Sequence, residues 1–485
     1  MPDLLTVLAL IGGVLIISAL LSGLVERAPI SFPILFLGLG ALLGERGVGL
    51  LAIGPNDRTL EGVAVVTLAL VLFLDAVRMR FGELRKDWFV PSLVLGPGTL
   101  LVILFVAGTA MLLLDMTPLY ALLLGAILAS TDPVVLRDVL RDDRLPRSIR
   151  QTLSVESGTN DLVVLPIVLL LIAVAKAEVS GPVSWGWFLV RLLVLSPLLG
   201  FAIGAAGAWL MTRADARYGV RREYQALYGV GLVLASYVAG VAIDGDGFLA
   251  AFAAGASIAI LNLKLCDCFL EFGDTTAEMA MFLAFVLFGA VLSSLIPTIP
   301  LLPTLLLAAV AVGLARPLAI FLVLRHTAIS RSARLFIGWF GPRGLNSLLL
   351  ALLVVREGVP GGEGILAVAG LVVVVSVLAH GISASPLASA YAARVERETL
   401  AEERESSAAG LLSAVKGGKV VKISARELAD RLQGTDPPIV LDVRSRSSRA
   451  ANPDEIPGSV HVLPDHLEEW AAKQSPDRSV VAWCT

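Results

Sequence analysis

The sequence predicts an all-α polytopic membrane protein that carries a small, partial α/β segment at its C-terminal end. Three observations predict it. The 485 residues are 56% hydrophobic and only 16% charged, with a mean hydropathy of +0.83, far more apolar than a soluble globular chain. Residues 88–114 and 279–315 contain no charged residue. About 20 apolar residues cross a bilayer, so the first run makes one span, and the second makes two, divided by the Pro-rich corner "SLIPTIPLLP". Beyond residue 388 the composition turns charged and then alternates between helix and strand patterns.

The N-terminal "MPDLLTVLALIGGVLIISALLSG" has no Lys or Arg before its apolar run and no evident cleavage signal, so it reads as an uncleaved first span. Further spans lie near 31–52, 59–77, 89–114, 118–137, 149–175, 185–211, 223–243, 247–262, 276–295, 300–323, 333–355 and 364–388, about 13 in all. With the N-terminus outside, "RMRFGELRK", "RDVLRDDRLPRSIR", "TRADARYGVRR" and "RHTAISRSAR" fall on one side, and "LLDMTPLY", "AIDGDG" and "REGVPGGEG" on the other. The first side holds most of the loop Lys and Arg. The positive-inside rule therefore makes it cytoplasmic, together with the C-terminus, in a multi-pass protein of the cell membrane. The net charge of −3 gives no sign of a nucleic-acid partner.

After the membrane part, taken as residues 1–388, residues 389–418 read as a charged helical linker and 419–485 as an α/β segment. In the latter, Ser424 and Glu427 form a capping-box pattern and "PIVLDV" is a buried-strand run. Three cysteines give no disulfide framework. Cys266 and Cys268 lie in an expected cytoplasmic loop without the companions a zinc site needs, and read as reduced thiols.

Chemistry concentrates in "SVESGTNDLVVLPIVLLLIAVA", residues 154–175. On a helix Glu156 and Asn160 share one face, while Ser157 and Asp161 share the next. Ionisable groups at membrane depth are costly and mark functional sites. One face can offer Ser157 and Asp161 oxygens to a hard cation while the other is held by hydrogen bonds within the protein. An isolated "ESxxND" could also be a helix end dipping into water, with Ser and Asp as caps. The preceding span decides between the two: "LLLGAILASTDPVVLRDVL" puts Thr131, Asp132 and Pro133 inside an apolar run, where Pro frees backbone carbonyls. Broken helices at membrane depth line cavities, and their termini and carbonyls hold ions.

"TDPVV" followed about two dozen residues later by "ESGTND" resembles the monovalent cation/proton antiporters of the sodium/proton exchanger type, and the resemblance extends over almost all of residues 1–388. It implies two inverted six-helix repeats, with broken helices 5 and 12 crossing at the midplane, and a homodimer in which a core domain moves against a dimerisation domain. The twelfth span, "LFIGWFGPRGLNSLLLALLVV", has Gly341, Pro342 and Gly344 in its interior. Carried over, the resemblance makes Asp161 the ion and proton carboxylate, with Ser157 and the Thr131 carbonyl as supporting ligands of a monovalent cation. It pairs Asn160 and Glu156 with Arg343 of the "PRG" motif, and treats Arg316 as a second intramembrane arginine, a support of the core together with Asp132 and Pro133. Relatives often carry Glu in the third span; here Asp75 stands in "LVLFLDAVRMR", one methylene shorter. It is kept as a candidate ligand. Asn160, where electrogenic relatives have Asp, implies electroneutral exchange.

A carboxylate in a membrane cavity can be neutralised by a proton or by a cation, and one site that must hold either in order to cross couples the two fluxes. Oxygen-only ligands favour Na⁺, Li⁺ or K⁺, with Na⁺ the first candidate, and no cofactor is expected. Two alternatives are a glutathione-gated potassium efflux system and a sulfurtransferase-linked membrane protein. The second arises because "IVLDVRSRSS", "EIPGSVHV" and "SVVAWCT" resemble a rhodanese-like domain, in which Cys484 takes the persulfide position. With Glu455 in place of the usual His, and the sequence ending at Thr485, this incomplete segment is expected to be inactive.

Overall fold

The computed structural model describes residues 4–483 except 26–30, 80–88, 133–135, 137–138, 141, 143, 177–181, 262–266, 328, 398–422, 435–436, 445–448, 450–451, 453, 464–466, 472 and 476–477. The helices described in its membrane part are α1 Leu4–Val25, α2 Phe32–Leu43, α3 Arg58–Arg78, α4 Phe89–Leu114, α5 Pro118–Ala129, α6 Arg147–Ala175, α7 Val183–Tyr218, α8 Arg222–Ala242, α9 Gly247–Ile260, α10 Asp267–Leu295, α11 Leu301–Val323, α12 Arg331–Trp339, α13 Leu345–Arg356 and α14 Gly362–Arg397. Among the described residues eight helices are long and apolar enough to cross a membrane; α2, α5, α9 and α13 are shorter apolar helices.

The ends of these helices obey local chemistry. α2 stops at Leu43 rather than running to 52, because "GERGVG" turns the chain back and Gly44 bridges to Leu51. α3, α9 and α12 are capped by the side chains of Asp57, Asp246 and Ser330. The fifth expected span closes early, at Ala129, and the twelfth divides into α12 and α13 around the extended residues 340–344, where Gly341, Pro342 and Gly344 withdraw helix propensity. α14 runs unbroken through residue 388 to Arg397, so no helix end marks the expected start of the linker. α10 begins at Asp267, which places Cys268 on a helix rather than in a loop; Cys266 lies outside the described residues.

π-turns interrupt α4 at Val94–Gly98, α7 at Arg191–Leu195 and α11 at Ala311–Ala315. Such turns add a residue and rotate the remainder of the helix about its axis. A helix with a π-turn precedes a broken span in each half of the chain, α4 before the break after α5 and α11 before the break between α12 and α13. The helices pack in two groups. α2, α3 and α7–α10 form one, with small residues at the crossings: a Cβ at Gly40, Gly200 or Gly204 would fall on the backbone of Val286, Ala250 or Ala254. α4–α6 and α11–α14 form the other.

The C-terminal segment contains α15 Ala425–Leu432, β1 Ile439–Asp442, β2 Val460–His461, α16 Leu467–Ala471 and β3 Val480–Trp483. The Ser424 hydroxyl accepts from Glu427 N at 3.2 Å and caps α15. The three strands are parallel in the order β2-β1-β3. Arg444 holds both oxygens of Asp442 and lies over the Trp483 ring.

Candidate functional site

The two breaks cross, and each supplies what the other lacks. α5 ends with unpaired carbonyls, and Arg343, from the break between α12 and α13, donates from Nη1 to Ala129 O at 2.8 Å and to Ser130 O at 3.1 Å. α13 begins with unpaired amides, and Asp132 Oδ2, from the break after α5, accepts from Leu345 N at 2.8 Å. A cation at a helix C-terminus and an anion at an N-terminus are the favourable arrangement for the helix dipole. The chains also join directly: Asp132 N donates to Pro342 O at 2.9 Å, and Ser347 Oγ to Ile127 O at 3.0 Å. A Cβ at Gly344 would fall on the Asp132 carboxylate, so only glycine permits the approach. α14 secures the second break, since Arg343 N donates to Ser376 Oγ at 2.7 Å and His380 brings Nε2 to 2.9 Å from the Trp339 carbonyl.

α6 passes beside this crossing with Glu156, Ser157, Asn160 and Asp161 all buried. Asn160 Nδ2 donates to Ala129 O at 3.0 Å, Thr131 Oγ1 at 3.1 Å and Glu156 Oε1 at 3.3 Å, which fastens α6 to the end of α5. Asp161 accepts from Ser130 Oγ on one oxygen and from Asn346 Nδ2 on the other, both at 2.6 Å. Ser157 lies one turn before Asp161 on the same face and donates to Ser154 O at 3.3 Å. Asp75 is half-buried near the C-terminal end of α3. Pro133 and Cys484 lie outside the described residues.

The expected Glu156–Arg343 pair is not formed. Glu156 is bound bidentately by Arg316, at 2.5 and 2.8 Å, with both side chains almost wholly buried. Arg316 stands directly after the π-turn of α11, and its guanidinium also donates twice to Ile337 O. A Cβ at Gly341 would collide with the Arg316 side chain, so this glycine leaves the room the guanidinium needs. Arg343 instead donates from Nη1 to the carbonyls at the end of α5, while its Nε and Nη2 have no hydrogen-bond partner among the described residues. The sequence reading missed Ser130, Asn346, Ser376 and His380. Ser130 and Asn346 were within reach, one immediately before "TDP" and the other on the first turn after the second break.

Three buried carboxylates, Asp132, Glu156 and Asp161, thus surround the crossing with two guanidiniums, Arg316 and Arg343. Glu156 is neutralised by Arg316. Arg343 and Asp132 hold opposite helix ends. Among the described residues no Lys, Arg or His is ion-paired with Asp161. One negative charge is therefore left over in a dehydrated place, where an uncompensated ion is expensive. A proton or one monovalent cation would remove it.

Residues 15–390 match the family model described as "Sodium/hydrogen exchanger, transmembrane". The K(+)/H(+) antiporter NhaP of Alkalimonas amylolytica is 28% identical over 395 residues, covering 80% of this chain and 68% of that protein. The K(+)/H(+) antiporter NhaP2 of Shewanella sp. (strain ANA-3) is 30% identical over 381 residues, covering 77% of this chain and 65% of its own length. The chain thus spans about two thirds of these relatives. The structure of the sodium proton antiporter MjNhaP1 from Methanocaldococcus jannaschii at pH 8 shares the fold, with a TM-score of 0.66 over 80% of this chain and 99% of that one, at 22% identity. With the family model covering most of its length, the chain belongs to the sodium/hydrogen exchanger family of transmembrane transporters and is not an enzyme.

Proposed function

We propose that the chain is a secondary antiporter that exchanges one monovalent alkali cation for one proton by alternating access, with Asp161 as the carboxylate both must use. The observation that carries this reading is that Asp161, at the crossing of two broken helices, has no ion-pair partner among the described residues, while Arg316 pairs with Glu156 and Arg343 donates to the end of α5. One leftover charge admits one monovalent ion at a time, which favours electroneutral exchange. The Thr131 carbonyl and Ser157 Oγ are the further candidate oxygen donors, and Asp75 remains a candidate on α3. The relatives named above are K(+)/H(+) antiporters and the structural neighbour a sodium proton antiporter, so K⁺ and Na⁺ are the two cargoes to test.

In this reading residues 1–388 form the transporter, a homodimer in the cell membrane with the N-terminus outside, and the α/β segment lies on the cytoplasmic side. The test is recovery of a pH-sensitive dye in proteoliposomes after addition of Na⁺, K⁺, Li⁺ or choline. Alkali cations should restore fluorescence and choline should not, and Asp161→Asn should abolish every response while the protein stays folded. Exchange that survives Asp161→Asn would move the carrier role to Asp132 or Asp75.

A further inference from the structure

Asp161 is solvated by two neutral side chains, and only one of them is an amide. Asn346 is 3% exposed on the first turn of α13, and its Nδ2 donates to Asp161 Oδ2 at 2.6 Å while Ser130 Oγ covers Oδ1. These two donors occupy one lone pair on each oxygen of the carboxylate. A cation repels N–H and O–H hydrogens, so it can take the lone pairs that these donors occupy only if they turn over. Ser130 can do so without moving a heavy atom, since a hydroxyl oxygen has lone pairs whichever way its hydrogen points. A carboxamide carries its acceptor and its donors on opposite arms of nearly equal size, so a half-turn about its last torsion puts Oδ1 where Nδ2 was.

The surroundings of Asn346 favour such a turn. The backbone on either side is clamped, by Arg343 N to Ser376 Oγ, Leu345 N to Asp132 Oδ2 and Ser347 Oγ to Ile127 O, so the side chain can rotate about a fixed pivot. The other buried amide beside the carboxylates is fixed by contrast. Asn160 Nδ2 already serves three acceptors and could not turn without releasing α5.

We infer that Asn346 is a switching ligand of the cation site: its amide nitrogen holds Asp161 when no cation is bound, and its oxygen coordinates the alkali cation that replaces this hydrogen bond. Asn346 then sets cation affinity and the preference between Na⁺ and K⁺, because its fixed pivot limits how far the oxygen can move to accommodate a larger ion. This rests on the reading of Asp161 as the exchange carboxylate.

The experiment is dye-recovery exchange in proteoliposomes titrated with NaCl and with KCl, for the wild type, Asn346→Leu and Asn346→Ser, the last being the smaller change should the leucine variant fail to fold. The expected result is a half-saturating concentration raised at least tenfold by leucine and less by serine, with the Na⁺/K⁺ ratio of half-saturation altered in both. An Asn346 that only supports the fold would lower the maximal rate for both cations and leave their half-saturation and ratio unchanged within twofold, and that result overturns the inference alone. A wild type that moves neither cation overturns the antiport reading instead.

Discussion

At the scale of single residues, the site is organised by the disposal of charge. Glu156 and Arg316 are both almost fully buried, and each is compensated chiefly by the other. Removing one partner of such a pair leaves an uncompensated ion and costs about 3–5 kcal/mol, whereas replacing both by apolar side chains of similar volume is often neutral. Glu156→Gln and Arg316→Ala should therefore each lower the melting temperature of detergent-purified protein markedly, and Glu156→Met with Arg316→Leu should recover part of the loss. Single variants that melt like the parent would show that the pair carries no structural load. The identity of this pair was not legible in the sequence. "ESGTND" shows that Glu156 needs a cation, but two intramembrane arginines, Arg316 and Arg343, were available. The deciding features are three-dimensional: the π-turn before Arg316 and the missing Cβ of Gly341 on one side, the open carbonyls of α5 beside Arg343 on the other. Asp161, by contrast, was legible as a carboxylate of interest, because it stands at the mouth of an apolar run and close behind the first break in sequence.

At the scale of helices, the two breaks dominate. Pro133, Pro342 and the glycines around it announce both in the sequence, since each subtracts helix propensity inside an apolar run. What propensity cannot show is that the two breaks satisfy one another, Asp132 capping α13 and Arg343 closing α5. That exchange depends on contact so close that Gly344 has no space for a methyl group. Gly344→Ala should displace Asp132 from the first amides of α13, with the overpacking cost of about 1–3 kcal/mol and a loss of exchange larger than the loss of stability. The check is a thermal melt together with dye-recovery exchange on one preparation; unchanged melting and unchanged exchange would mean that the crossing is looser than described. Helix ends away from the breaks were read less well. α10 starts at Asp267, well before the apolar pattern begins, because polar first turns carrying Glu271, Asp274 and Glu278 extend it. α14 likewise continues to Arg397 through residues of mixed polarity.

At the scale of the whole molecule, two helix groups meet along a line that includes the site. Asp161 and its partners belong to the group of α4–α6 and α11–α14, and α3 of the other group passes alongside, tied to α13 by the Arg356–Glu61 ion pair at 2.5 Å. Movement of one group against the other would carry the Asp161 charge from one side of the membrane to the other. The crossing must then be neutral in each direction, because an uncompensated carboxylate cannot traverse a low-dielectric barrier cheaply. In the proposed reading the proton and the cation are on these grounds alternative occupants of Asp161 and compete for it. The measurement is the rate of exchange in proteoliposomes as a function of pH at a series of fixed Na⁺ or K⁺ concentrations. Competition at one carboxylate requires the pH optimum to move toward acid as cation concentration rises, because more protons are needed to displace the bound ion. An optimum that stays at the same pH across the series would contradict a shared site.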